Sequence, residues 1–329
     1  MATVYSSVSA PITLLEYAKT MDEADPTRIF VENMVAESDL MAAVPFLPAT
    51  QGKRAFTDIA GLPSVSFRGL NTAGGEATGN FNLREEDTFF IDEYVKVDRA
   101  LIDRLGPGHE ARQIKLKTTA LAQSFSTNFI KSDHASNPAT PSGLQVRCTN
   151  LATNAGTGGN LLHNSAASGG GALSLANLDI LYWLVNKPTH WIMPRGLMPY
   201  LDAAARNPSL VNNTITYSDD KDMLGRRTLK FKGLPILFGY EPDDTPDMLP
   251  FNEVASGGGS AVTASIYCVS LRDGGLYAIE QTPLSVIPEG DLIGAPFRST
   301  HIKWDWGIAR EHPRAVARLT SVTAAAIVA

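Results

Sequence analysis

At 329 residues and 35.3 kDa the chain is long enough for about two domains and for a core that buries roughly three quarters of its unfolded surface. Lys plus Arg number 28 and Asp plus Glu 34, a net charge of −6, which excludes a chain that grips nucleic acid by its overall charge. Hydrophobic residues at 44% and charged residues at 19% exclude wholesale disorder, and no apolar run reaches the ~18 residues of a membrane-spanning helix.

Residues 1–11 are small and polar and read as an arm with neither the basic start nor the apolar stretch of a secretory signal. Ile12 to Lys19 makes a short helix. Asp25-Pro26 opens a second one, because Asp caps and Pro occupies the first turn, where its missing N–H costs nothing. Phe30, Met34 and Met41 carry it toward Pro45 at helical spacing. Val65 to Leu70 reads as a strand, Gly74-Gly75 and Gly79 as a turn-rich tip, and Phe81 and Leu83 alternate with polar residues on the way back. Phe89 to Val97 is aromatic and β-branched, as strands are. The reading is a long two-stranded ribbon with a glycine tip, which is marginal alone and has to lie on something.

After Gly106-Pro107-Gly108, His109 to Lys131 runs without Gly or Pro, with Ile114, Leu121, Phe125 and Phe129 on one stripe, so one long helix is expected. Residues 132–172 are loops and short strands. Ser174 caps a helix through Leu178, Leu181, Tyr182 and Val185. His190 to Met193 is a buried strand, and Leu197 to Arg206 another helix. Thr228 to Phe238 bends at Gly233 and Pro235. Glu241 to Asp247 is an acidic, proline-rich loop. Ala264 to Leu271 and Gly275 to Glu280 are strands. Phe297 to Arg310 has the clearest alternation, with Ile302, Trp304, Trp306 and Ile308 on one face and His301, Lys303, Asp305 and Gly307 on the other. Ala315 to Val322 is a final strand.

Reactive chemistry is hard to find in this order. Gly52-Lys53 is followed by Arg54, so there is no phosphate-cradling loop. No two of the six histidines stand three to five apart, so no helix presents a zinc pair. Asp133-His134 reads as a surface pair at a helix end. The carboxylates Asp219, Asp220, Asp222, Asp243, Asp244 and Asp247 lack the alternate-ligand calcium pattern. Cys148 and Cys268 have neither metal-ligand spacing nor a base partner in sequence, and fit a reducing compartment. The Trp304 and Trp306 stripe fits core packing better than a stacking platform. No catalytic, cofactor-binding or metal residue is assigned.

The order of elements is more specific than any motif. Leu62-Pro63-Ser64-Val65-Ser66-Phe67-Arg68-Gly69-Leu70-Asn71, His190-Trp191-Ile192-Met193-Pro194, Leu229-Lys230-Phe231-Lys232-Gly233-Leu234-Pro235-Ile236 and Glu311-His312-Pro313-Arg314-Ala315 stand in an order that resembles the major capsid proteins of tailed bacteriophages. The resemblance covers essentially the whole chain and implies the α+β Hong Kong 97-type fold. It implies an N-terminal arm and first helix at 1–48 and an extended β-hairpin loop at 49–99. A peripheral domain with a spine helix follows at 100–172, an axial domain with a central sheet at 173–296, and closing strands at 297–329 that return to the peripheral domain. It further implies hexamers and pentamers in an icosahedral shell around double-stranded DNA, in a virion assembled in a bacterial cytoplasm. A portal protein and separate scaffolding and decoration proteins are its expected partners, and no membrane is involved. The arm begins within a few residues of Met1, so a scaffold is expected as a second protein. Covalently cross-linked members carry a lysine on the loop. Here no lysine lies between Lys53 and Lys96, so a noncovalent shell is expected. The expected inter-subunit contact residues are Phe67, Arg68, Phe81, Leu83, Arg84, Glu85 and Glu86. The alternatives are an encapsulin-like compartment and an α/β enzyme with an unrecognised site.

Overall fold

The structure is a computed structural model that describes residues 12–22, 25–106, 108–152, 159–206, 215–221, 227–240, 247–292 and 294–328, with backbone only at 58–61, 215–221 and 227–229. The arm expected at residues 1–11 and most of the acidic loop at 241–247 lie outside the described residues.

Helix Pro26–Glu37 starts as its sequence dictates, with the Asp25 carboxylate accepting from the Thr27 N–H at 2.8 Å and Pro26 in the first turn. Phe30, Val31, Met34 and Val35 are its buried stripe. The expected single helix to Pro45 is corrected by Ser38, which takes an extended conformation. Its hydroxyl caps a separate helix, Asp39–Ala43, through the Met41 N–H at 3.3 Å. The long helix Gly108–Lys131 is continuous. Thr118, Leu121, Ala122, Phe125, Ser126, Phe129 and Ile130 form its buried side, while its first two turns stay at the surface.

These helices cover a five-stranded sheet ordered Ile12–Thr13, Pro45–Pro48, Leu276–Asp291, Phe297–Arg310, Phe89–Asp98. Only Pro45–Pro48 runs parallel to its neighbour Leu276–Asp291. The expected face of Ile302, Trp304, Trp306 and Ile308 is buried. Phe125 from the long helix sits over it, its ring 4.5 Å from Trp306 and 5.5 Å from Trp304, while Phe46 closes the cluster 6.0 Å from Trp304.

A second sheet of nine strands is ordered Leu161–His163, Val316–Val328, Ala261–Val269, His190–Ile192, Leu234–Leu237, Arg227–Phe231, Ile215–Lys221. Glu253–Val254 adds to Ala261–Val269, and Gly171–Ser174 to Val316–Val328. Helices Leu175–Leu184 and Met198–Ala205 bury Leu178, Leu181, Leu184, Leu201 and Ala204 in a second core with Trp191, whose indole N–H donates to the Phe231 carbonyl at 3.2 Å. Ser174 stands at the N-cap position, but its side chain makes no capping hydrogen bond there.

Two expectations about organisation change. The boundary expected between 296 and 297 cuts one hairpin, because Leu276–Asp291 and Phe297–Arg310 pair along their length in the first sheet. The last strand, Val316–Val328, belongs to the second sheet and not the first. The chain crosses between sheets at Glu311–Ala315, where Pro313 breaks the ladder.

Candidate inter-subunit surface

The ribbon is real but differently built. Its strands are Lys53–Gly61 and Asn80–Asp87, antiparallel from Lys53 opposite Asp87 to Gly61 opposite Asn80. Val65 to Leu70 is no strand. Residues 62–79 form an exposed tip without ladder partners, because the alternation there has no second strand to satisfy its backbone. Phe89–Asp98 is no part of the ribbon either, since it is the edge strand of the first sheet, paired with Phe297–Arg310.

Strand alternation gives the ribbon two unlike faces. Arg54, Phe56 and Glu86 turn toward the body. Phe56 is buried with Leu47, Ala49, Tyr277, Ile279 and Ala309. Arg54 donates through Nε to the Tyr277 hydroxyl and through a terminal N–H to the Pro48 carbonyl, each at 3.1 Å. Arg147 clamps Glu86 with two terminal nitrogens, at 2.5 and 2.9 Å, and one of these also donates to the Ile308 carbonyl at 2.9 Å. Between them the backbones nearly touch. A Cβ on Gly307 would lie 2.3 Å from the Asp87 carbonyl oxygen, so only glycine admits the crossing.

The other face points away. Lys53 pairs with Glu85 at 3.4 Å and Asp87 at 3.5 Å across the ribbon, and these carboxylates raise its pKa. Farther out, Phe81 is 64% and Leu83 70% exposed, and Leu62, Val65, Phe67 and Leu70 on the tip are almost wholly exposed. Six large apolar side chains thus project from a firmly held base with no cover from their own chain. Arg68 is tied within the tip through a bond to the Thr72 carbonyl at 3.1 Å. Among the expected contact residues, Phe67, Phe81 and Leu83 offer free apolar surface. Arg84 is exposed near Arg310. Glu85 and above all Glu86 are engaged by cations of their own chain.

The root is electrostatically tense. Burial lowers the pKa of Arg310, and the nearby Arg147 and Arg84 guanidiniums lower it further. Burial pushes Cys148, beside this cluster, up to about 12, and Tyr277 likewise up to about 12 against the pull of Arg54. Asp305 is buried under the bend at Thr88. Neither carboxylate oxygen completes a hydrogen bond of good geometry, although the Thr88 hydroxyl lies beside it, and desolvation raises its pKa. None of Arg54, Phe56, Arg147 or Tyr277 was marked by a sequence signal. Gly307, a glycine inside a strong strand pattern, is the one residue whose type announces a close backbone approach.

The remaining polar candidates are accounted for locally. Asp133 accepts from the Ala135 N–H at 3.0 Å and the Ser136 hydroxyl at 2.6 Å, and His134 bonds the Thr140 carbonyl at 3.1 Å, which is turn chemistry. Cys148 and Cys268 are buried and free. Asp222, Asp243 and Asp244 lie outside the described residues. Among the described residues no group of three or more His, Cys, Asp or Glu is placed to hold a metal, and no helix is long and apolar enough to cross a membrane.

The family model of the major capsid protein GP7 matches residues 22–198, more than half of the chain. This chain belongs to that capsid protein family. No curated protein matches it in sequence. Among solved structures, the holo-SrpI encapsulin complex from Synechococcus elongatus PCC 7942 is similar at 16% identity, over 96% of this chain and 97% of that one, with a TM-score of 0.61. The capsid of the native GTA particle is similar at 16% identity, over 86% and 90%, with a TM-score of 0.58. A chain of the structure of Mycobacterium phage Bobi is similar at 11% identity, over 94% and 98%, with a TM-score of 0.56. At such identities the likeness establishes the fold, and the fold of this capsid protein is of the Hong Kong 97 type. The match ends at residue 198, so it takes in the ribbon and the long helix but little of the second sheet.

Proposed function

We propose that this capsid protein self-assembles as hexamers and pentamers into an icosahedral shell enclosing double-stranded DNA, and that the ribbon lies across a neighbouring copy. The observation that carries the reading is the apolar ribbon on its clamped root. A monomer has no use for such an edge, which invites aggregation. Burying each of the six side chains against a neighbour contributes roughly 1.5–3 kcal/mol, on the order of 10 kcal/mol together, comparable with the cost of association. Repeated by rotation, such head-to-tail contacts close into rings. In this reading the first sheet with the long helix forms the peripheral domain. The second sheet and its two helices form the axial domain, and the hairpin Leu276–Arg310 belongs wholly to the peripheral one. Beyond Lys53 at its root the ribbon carries no lysine, and in this reading the shell is held noncovalently. Net acidity suits loose enclosure of DNA, since the wall repels the phosphates it surrounds. A portal protein, with separate scaffolding and decoration proteins, completes a virion assembled in the bacterial cytoplasm. The role is structural and not catalytic.

The test is expression of the full chain beside a variant with residues 62–79 replaced by a short Gly-Ser turn, followed by gel filtration and electron microscopy. Closed particles from the first and a folded monomer from the second are expected. A wild-type monomer or dimer with turnover on esters or phosphates overturns the shell. Particles that carry a cargo enzyme and no portal vertex, from the native host, move the reading to a compartment of the encapsulin kind.

A further inference from the structure

Far from the ribbon, at the C-terminal end of helix Leu175–Leu184, lies a cleft of about 510 Å³ whose lining includes Tyr182, Trp183, Lys187, Pro188, His312 and Arg314. Trp183 is 65% exposed, whereas the other three tryptophans, Trp191, Trp304 and Trp306, are buried. The cleft is built, not incidental. Arg314 donates to the Leu184 carbonyl at 2.8 Å and the Trp183 carbonyl at 2.7 Å, which fixes its guanidinium at the helix end. Lys187 takes a left-handed conformation, with φ of 53°, and its carbonyl accepts from the Ser270 hydroxyl at 2.8 Å. Among the described residues no carboxylate forms an ion pair with Lys187 or Arg314.

An indole face, a proline and cations without counter-charge suit a short segment rich in carboxylates and proline. Prolines pack on aromatic walls, and carboxylates pair with the guanidinium and ammonium groups. The chain holds such a segment: Glu241-Pro242-Asp243-Asp244-Thr245-Pro246-Asp247 has two prolines and four carboxylates. The sheet keeps it from its own cleft. His190–Ile192 runs parallel to Leu234–Leu237. Lys187 and Pro188 enter the first strand at its start, whereas Tyr240 follows the end of the second. Val316–Val328, which follows Arg314, also runs parallel to His190–Ile192, since both are antiparallel to Ala261–Val269. Lys187, Pro188 and Arg314 on one side and Tyr240 on the other therefore stand at opposite strand ends of one sheet. Tyr240, bridged to Ser38, and the buried Met248, which lies against Gly239, flank the segment at that far strand end. A contact that joined the two strand ends would be head-to-tail, between copies.

We infer that the cleft at Trp183 receives segment 241–247 of a second copy of this chain. The inference rests on the shell reading and adds to it a second contact between copies, independent of the ribbon.

The test uses two full-length single variants, Lys187→Cys and Asp244→Cys, in a chain whose own cysteines are buried. Co-assembled particles, oxidised and run on a non-reducing gel, are expected to give a covalent dimer that is absent when either variant assembles alone. Charge reversal by Lys187→Glu is expected to lower particle yield at least tenfold, and Asp244→Lys in the same chain to restore it. Assembly of the wild type is expected to shift Trp183 emission to shorter wavelength, a shift lost in Trp183→Phe. Normal particles without cross-link, and with the reversal tolerated, overturn the cleft inference and leave the shell standing. Retention of a short duplex DNA by the wild-type protomer that Lys187→Glu abolishes, with particle yield unchanged, assigns the cleft to phosphate and also overturns it. A wild type that forms no particles overturns shell and cleft together.

Discussion

Two long antiparallel hairpins meet at Gly307, and their contents are close enough to invite confusion. Each has one strand, Phe297–Arg310 in the hairpin with Leu276–Asp291 and Asn80–Asp87 in the hairpin with Lys53–Gly61, on which large apolar residues alternate with polar ones. One of them places Trp304 and Trp306 under Phe125 and Phe46 and forms the centre of the first core. The other has a buried Phe56 at its root and leaves Phe81, Leu83 and the tip in water. Alternation therefore states that a strand has an apolar face. What covers that face is decided by the rest of the chain, or by another chain.

The sharpest way to separate the two is to remove one aromatic from each. Trp306→Ala opens a cavity in a packed aromatic cluster and is expected to cost about 3–5 kcal/mol in denaturant-induced unfolding of the protomer. A cost below about 1 kcal/mol would put the long hairpin in the same class as the ribbon.

The junction between them comes next. Arg147→Ala strips Glu86 of both its bonds and the Ile308 and Ser142 carbonyls of a donor, and leaves a half-buried carboxylate alone. A loss of about 2–4 kcal/mol is expected, with faster proteolysis at the ribbon root as a second readout. If only proteolysis changes, the clamp positions the ribbon without stabilising the body.

Acid probes the second sheet instead, and sets a control for both hairpins. Burial lowers the His190 pKa from 6.5 to about 4. The unfolded chain takes up this proton near 6.5 and the folded chain refuses it until about 4, so stability is expected to fall as pH drops through that window, by up to about 3 kcal/mol. His190→Gln should flatten the pH profile there while leaving the ribbon's protease sensitivity unchanged.

How much of this was legible in residues depends on where each partner sits. The Asp25-Pro26 start, the long helix and the alternation at 297–310 are local patterns, and the structure keeps them. Val65 to Leu70 has the same local pattern and is not a strand, because pairing needs a second strand and the chain supplies one to residues 53–61 instead. Lys53–Gly61, with Lys, Arg, Thr and Asp among its members, has little to mark it. Of the expected contact residues, Phe67, Phe81 and Leu83 are placed as free apolar surface. Glu86 lies 61 residues from Arg147, a pairing that no spacing rule reaches. Lys187, Arg314 and Trp183 come together only through sheet order, which is equally silent in the sequence.

A smaller effect tests the crossing itself. Asp305 sits beneath the bend where the ribbon leaves the sheet, its carboxyl raised by burial. The neutral form is favoured in the fold, so its contribution is present at low pH and lost as pH rises through the folded pKa. Asp305→Asn should therefore stabilise the protomer at neutral pH, by about 1–2 kcal/mol, and do nothing at strongly acid pH. Destabilisation at neutral pH would mean that the charge is matched at the root.

The smallest expected effect on the protomer is the most informative about the ribbon. Phe67 and Leu70 contact no core of their own chain, so Phe67→Ser with Leu70→Ser should change unfolding free energy by no more than about 0.5 kcal/mol, as surface substitutions do. The same double change removes two of the six apolar groups available to a neighbour. Particle yield at fixed protein concentration should then fall at least tenfold, since each buried side chain is worth roughly 1.5–3 kcal/mol. A stable protomer that no longer assembles confirms that the ribbon's missing cover is another copy. A destabilised protomer would place that cover within the chain, and the two hairpins would then differ in degree and not in kind.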